Sequence, residues 1–365
     1  MYKKIKIILP LFGLFFLNYP VFAEDEPVTW KPSATEFDWV QLTSGEWLKG
    51  EIKSMYSESI EFDSDKLDLL NIDLEDVKYL QTFLPARVNI ENIGEVTGVL
   101  NISKDLVTIT QGETVKEYDV IELVSFTPSG NREIDLWAIK FTLGLDLRKG
   151  NTEQVDFTSG LNAKRRTSKS RFILDYIGNI SKTDAVSGEL EETVNNHRLN
   201  SNLDKYVTRN FFYTPVFAEY FEDAFQNIEN RLTVGVGVGY TIINEPKTEW
   251  RVSGGPSYVS TEYVSVLPGE DIKVDSASLA LSTSYEVEIN NKMDFIYKYN
   301  IQISEEEAGG YTHHMIATFE NELTGDLDLN ISLIWDRINS PVIDDQSNAP
   351  EKDDLRFMLG ISYSF

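Results

Sequence analysis

Three histidines, His197, His313 and His314, bound whatever acid–base chemistry the chain can do. A serine nucleophile needs a histidine within hydrogen-bond reach and a third group to orient the ring. Ser201 follows His197 on the same face of an extended segment, but about 13 Å away. No serine stands within two positions of His313 or His314. Those two histidines point to opposite faces of a strand, which disfavours a shared metal ion. Gly235-x-Gly237-x-Gly239 looks like a dinucleotide loop, yet that motif requires a strand-to-helix turn. Here the glycines alternate inside a strand, where they let it bend or leave internal space. Acids gather at Glu189, Glu191 and Glu192, at Glu305 to Glu307, and at Asp344, Asp345, Glu351, Asp353 and Asp354. Divalent-cation capture is one reading of these groups and solvated loops the other; EF-hand spacing with its turn glycine is missing. We therefore expect no catalytic residue, no cofactor and no metal site. An outer-membrane lipid hydrolase is kept only as a distant alternative.

The informative side chains are ionisable residues at every second position of long alternating segments. Trp137, Ile139, Phe141, Leu143, Leu145 and Leu147 interleave with Ala138, Lys140, Thr142, Gly144, Asp146 and Arg148. The same dyad recurs through Leu232–Ile242, Ala277–Ile289, Met293–Ile303, Met315–Leu323, Leu327–Trp335 and Leu355–Phe365. With weaker segments near 197–207, 211–221 and 249–260 there are about twelve, each long enough to cross a bilayer obliquely. The polar face carries Lys140, Asp146, Arg148, Arg171, Arg231, Arg251, Glu286, Glu288, Lys298, Glu320 and Arg356, the candidate pore lining. Such residues line a wet lumen or pair across a closed one. In a wet lumen, screening would make Arg231 and Arg251 individually dispensable for stability.

Composition agrees with an exported membrane protein. Lys3, Lys4 and Lys6 precede an apolar run, and Val21-Phe22-Ala23 offers a signal-peptidase site, so residues 1–23 read as a signal peptide. Residues 24–36 read as a flexible leader. The chain has no cysteine, which excludes disulfides and thiolate metal sites, and a net charge of −26 argues against nucleic acid. No later apolar run is long enough for a membrane helix, which leaves a closed barrel as the way across. Before the barrel, residues 37–130 hold a weak repeat, 37–83 and 85–129. Leu42 to Ile90 and Gly50 to Gly98 both step by 48 residues, and Ile60 to Val107 by 47. Each unit reads as a small SH3-like or Sm-like β repeat.

A soluble sandwich also alternates, but two features favour a membrane barrel at 135–365. Linkers at 167–170, 208–210, 244–248, 290–292 and 324–326 are short, whereas most of those between them, such as 181–196, 262–275 and 339–353, are long. Aromatics sit near strand ends: Trp137, Phe211, Trp250, Phe295 and Phe365 on the short-turn side, Phe221, Tyr258 and Trp335 on the other. The fold class is thus all-β, an antiparallel transmembrane barrel of about twelve strands behind a periplasmic repeat domain. The chain ends on a strand because closure must join the last strand to the first. Gly360, Tyr363 and Phe365 resemble a terminal signal read by the outer-membrane assembly machinery, although Met358 departs from it.

Gly150-Asn151-Thr152, Arg209-Asn210-Phe211-Phe212-Tyr213, the block Asn230 to Tyr240, and Gly254-Gly255-Pro256-Ser257-Tyr258 are similar to the family of salt-induced outer-membrane proteins. That resemblance covers 141–263 and implies an outer-membrane barrel without any assigned activity. The expected partners are outer-membrane lipid, lipopolysaccharide, the barrel assembly machinery and a periplasmic envelope partner. The leading expectation is a passive conduit for small solutes or ions. The alternative is a structural or adaptor protein anchored by its barrel.

Overall fold

A computed structural model describes residues 36–364, apart from 65, 131, 150–152 and 185–188. The signal peptide, all but the last residue of the leader, the Gly150–Thr152 motif and Phe365 lie outside the described residues.

The first half of the amino-terminal region contributes β1 (Asp38–Leu42), β2 (Trp47–Tyr56), β3 (Ser59–Ser64), β4 (Asp68–Asp73) and β5 (Val77–Gln81). The second half repeats the set as β6 (Ala86–Ile90), β7 (Gly94–Ser103), β8 (Leu106–Gln111), β9 (Thr114–Asp119) and β10 (Leu123–Pro128). A 3-10 turn precedes the last strand of each, at Leu74–Asp76 and Val120–Glu122. Glycine explains the recurrence that the sequence showed. A Cβ on Gly50 would lie 2.1 Å from the Asp63 carbonyl oxygen, and one on Gly98 2.6 Å from that of Thr110.

The halves match strand for strand, but they do not close as two separate small barrels. The strands β1, β5, β7, β6, β10 and β2 pair in that order, and β1 pairs back to β2, forming one ring of six. Each half lends its last strand to the other: β5 pairs with β7, and β10 with β2. One apolar core follows, with Ile52, Phe62 and Leu80 packed beside Leu100, Ile102 and Phe126. The hairpins β3–β4 and β8–β9 project from the ring.

The remaining strands are β11 (Trp137–Arg148), β12 (Gln154–Thr167), β13 (Ser170–Asp184), β14 (Leu190–Tyr206), β15 (Phe211–Asp223) and β16 (Ile228–Glu245). They continue with β17 (Thr248–Tyr263), β18 (Lys273–Asn290), β19 (Met293–Ile303), β20 (Tyr311–Thr324), β21 (Leu327–Ile338) and β22 (Asp353–Ser364). All twelve pair in sequence order as a closed antiparallel barrel. Its seam runs from Lys140 opposite Ser364 to Leu143 opposite Ile361. The exterior is apolar: Leu143, Leu145, Val236, Leu359 and Phe357 all face outward and are exposed. A wall of this kind, with every spanning strand paired, meets the demands of hydrocarbon.

Two expectations need correction. The 181–196 linker is mostly strand, since β13 reaches Asp184 and β14 starts at Leu190. Phe221 is not an interfacial aromatic but a buried inward one. The cause is a register shift between Thr214 and Phe217, where Pro215 and Val216 both face outward. Proline has no N–H to give the ladder, and one extra residue flips every later side chain to the opposite face.

Candidate functional site

The lumen is organised in two tiers. Near the short turns, Arg171 of β13 donates to Glu249 of β17 at 3.0 Å and stands 3.5 Å from Asp204 of β14. Arg251 reaches the same Asp204 at 2.8 Å, and Thr214 donates to it at 2.7 Å. Across the lumen Lys140 bridges Glu320 at 2.8 Å and Asp328 at 3.0 Å, and Lys298 lies 3.4 Å from Asp175. Charge-assisted bonds of this kind fix long side chains in place.

The alternating glycines turn out to be seats. A Cβ on Gly239 would fall 2.1 Å from the Phe212 ring, and one on Gly235 2.3 Å from that of Phe217. Inward-facing rings of β15 fill the space that the glycines of β16 leave. The Arg251 guanidinium then stacks over Phe212 at 4.1 Å, so the glycine holds the ring and the ring supports the cation.

Toward the long loops Asp336 is the hub. It receives Arg198 at 2.9 Å, Arg356 at 2.5 Å and His314 at 2.6 Å. Arg198 also binds Glu219 at 2.8 Å and stacks over Phe221 at 4.1 Å. Above this tier Phe221, Ile228, Tyr263 and Ile338 pack with Val266, Val274 and Val342. Asn227, in the left-handed region at φ 61°, donates its amide to the carbonyls of Ser265 and Val342. It thereby ties two long loops over the barrel.

A cavity of about 1820 Å³, bordered by charged side chains of both tiers, runs through the lumen and out to β2, β3 and β4. Of the residues marked by the sequence, Lys140, Arg171, Arg231, Arg251, Glu286, Glu288, Lys298 and Glu320 border it. Asp146 and Arg148 sit exposed at the far end of β11, and Arg356 is drawn into the Asp336 hub. Arg251 is paired, whereas Arg231 is a buried cation with no ion-pair partner among the described residues. Arg231 is buried with its Nε on Thr261 Oγ1 at 3.1 Å, and Arg251 is held by Asp204. Burial takes Arg231 out of the water screening on which its dispensability would rest.

The other candidate groups are dispersed. His197 faces outward against Tyr176 at 2.9 Å, and His313 outward between Tyr299 and Trp335. His314 alone points inward. No cluster of metal-ligating side chains occurs among the described residues. In the acidic 339–352 loop, bonds from Asn348 and from the Gln346 and Asn348 amides hold the Asp344 carboxyl below its ordinary range.

Sequence reasoning missed the contact between the two barrels. The tip of the β2–β3 hairpin, Ser57 and Glu58, has φ of 50° and 58°. Residues other than glycine rarely hold that conformation without compensation. Ser57 donates to Glu249 at 3.0 Å, and Glu58 pairs with Arg209 of the β14–β15 turn. Arg209 also donates to the carbonyls of Val120 and Leu123 at 3.0 and 3.1 Å. Ser125 donates to the Ser168 carbonyl at 2.7 Å, Lys169 pairs with Glu95 at 3.3 Å, and Arg166 stacks over Tyr56 at 5.1 Å. Residues of β2, β3 and β4 border the cavity. The six-stranded ring thus lies against the short-turn mouth.

Gly360, facing β11, and Tyr363, opposite Phe141, both lie in the seam. No curated protein matches the chain. Among solved structures the NanC porin is similar at 8% identity with a TM-score of 0.38, over 63% of this chain and 100% of that one. An outer membrane channel from Pseudomonas putida F1 shows 12% and 0.35, over 63% and 94%. The outer membrane channel DcaP of Acinetobacter baumannii shows 11% and 0.27, over 90% and 94%. Residues 141–365 match the family described as "Protein of unknown function, DUF481", and since this is more than half of the chain, the protein belongs to that family.

Proposed function

We propose that the protein is an outer-membrane conduit for small polar solutes, with its SH3-like or Sm-like repeat domain in the periplasm acting as a cap on the inner mouth. The observation that carries this reading is a cavity of about 1820 Å³, bordered by many charged side chains, that runs through a barrel with an apolar exterior and reaches the β2–β4 strands at its mouth. A barrel serving only as an anchor would need no such space. The contacts of Ser57, Glu58 and Arg209 give the cap a defined hold on the rim. Outer-membrane lipid and lipopolysaccharide would surround the wall, and the assembly machinery would insert it through the closing strand.

The test is conductance of refolded protein in a planar bilayer. Wild-type protein is expected to give brief openings, and Arg209→Ala to lengthen them by releasing Glu58 and the carbonyls of Val120 and Leu123. Absence of current in both would discard the conduit. It would favour the second reading, an adaptor that binds envelope partners through the free outer strand β9, where Val115 is exposed. Orientation has its own assay. In this cysteine-free chain, Ser347→Cys should react with an impermeant maleimide on whole cells and Glu113→Cys should not.

A further inference from the structure

The short-turn tier is electrically divided. On one wall Arg166 of β12 stands directly opposite Arg171 of β13, two cations in register. On the far wall Glu288 of β18 is opposite Asp294 of β19, which is opposite Glu320 of β20. Like charges placed directly across a sheet ladder destabilise it. The walls are separated by β14 to β17 on one side and by β21, β22 and β11 on the other, so they face each other across the lumen. Neutralisation between them is incomplete. Among the described residues Lys164, Arg166 and Asp294 have no ion-pair partner within 4.0 Å, and the buried Arg171 keeps an Nε with no acceptor. Each of these four residues borders the cavity.

Two walls of opposite sign with room between them suit a solute that carries both signs. We propose that this tier selects small zwitterions, whose carboxylate meets Lys164 and Arg166 while the ammonium meets Asp294 and Glu288; Arg171 and Glu320, already held by Glu249 and Lys140, back the two walls. A mono-ion gains on one wall and loses on the other. A neutral solute of the same size gains on neither. A zwitterion aligned across the lumen gains on both, and the tier's repulsive pairs are relieved when it binds. This inference rests on the conduit reading for transport but not for binding.

The experiment is swelling of liposomes that contain the full chain, with β-alanine and 4-aminobutyrate compared against erythritol. If each wall contributes what an exposed ion pair does, the zwitterions should enter about twofold to thirtyfold faster than erythritol. Arg166→Gln and Asp294→Asn should each bring that ratio toward one. A ratio near one in the wild type, or one that neither variant moves, overturns the proposal. If no solute enters, the conduit fails and binding decides the rest. Thermal unfolding in detergent should then rise with β-alanine in the wild type and less in both variants. No rise overturns the zwitterion site as well.

Discussion

The two closed barrels of this chain obey one alternation with opposite meaning. In the six-stranded ring Ile52, Leu80 and Leu100 face inward and share one core with Phe62 of the β3–β4 hairpin. In the twelve-stranded barrel Leu143, Val236 and Phe357 face outward, and the inside holds Arg171, Asp204 and Asp336. Period-2 hydrophobicity therefore specifies a strand with two unlike faces but not the medium each face meets. Circumference decides the rest. Six strands leave a bore that apolar side chains fill, whereas twelve leave a gap that only long charged side chains and aromatic rings can span.

The contrast can be broken from the inside with the largest effects. Phe62→Ala should remove about 3–5 kcal/mol from the ring through its cavity. Asp336→Ala should cost the barrel a similar amount, about 3–5 kcal/mol, because Arg198 and Arg356 lose a shared carboxylate. Urea titration of each variant checks both. If Asp336→Ala unfolds like wild type, the lumen is wetter than its bonding implies.

A smaller effect comes from outside, where one substitution should act differently on the two barrels. Leu143→Arg places a charge against hydrocarbon and should cost about 2–4 kcal/mol, seen as lost heat-modifiable mobility. Val115→Arg, on the exposed outer strand β9 of the hairpin that projects from the ring, should stay within about 0.5 kcal/mol. Equal penalties would contradict the assignment of media.

The smallest effect is a titration confined to the ring. Asp38 is buried, and burial raises its pKa although its carboxylate accepts from the Ile52 and Phe83 amides at 2.7 and 2.6 Å. A raised acid favours the native state while protonated, and the benefit is lost as pH climbs from 3.8 through the native value. Wild-type stability should therefore fall relative to Asp38→Asn over that interval. A constant difference would mean that the two amide bonds cancel the burial.

Much of the barrel was legible, because alternation such as Leu232–Ile242 against its glycines is local. The short turns were legible for the same reason. The Phe221 error came from Pro215, since a bulge one residue long leaves no mark in hydrophobicity but reverses every face beyond it. The repeat was visible in the spacing of Gly50 and Gly98, but the exchange of β5 and β10 was not, because pairing partners are chosen in three dimensions. Arg171, Glu288 and Glu320 stood out in the sequence as charges at alternate positions, but only register sorts them into two walls. The cap was hidden altogether: Ser57 and Glu249 lie 192 positions apart, and neither belongs to a motif.

The exchange of terminal strands within the ring also gives it the pairing of a twofold dimer. A chain with one copy of the repeat would end on a β5 whose outer edge and half of whose core had no cover. Two such chains would complete each other through the same pairs, β5 to the second strand of the partner, about a twofold axis. The ring is thus a homodimer written into a single polypeptide. Because the halves share one chain they need not be identical, and each grips the rim differently, the first through Ser57 and Glu58 and the second through Glu95 and Ser125.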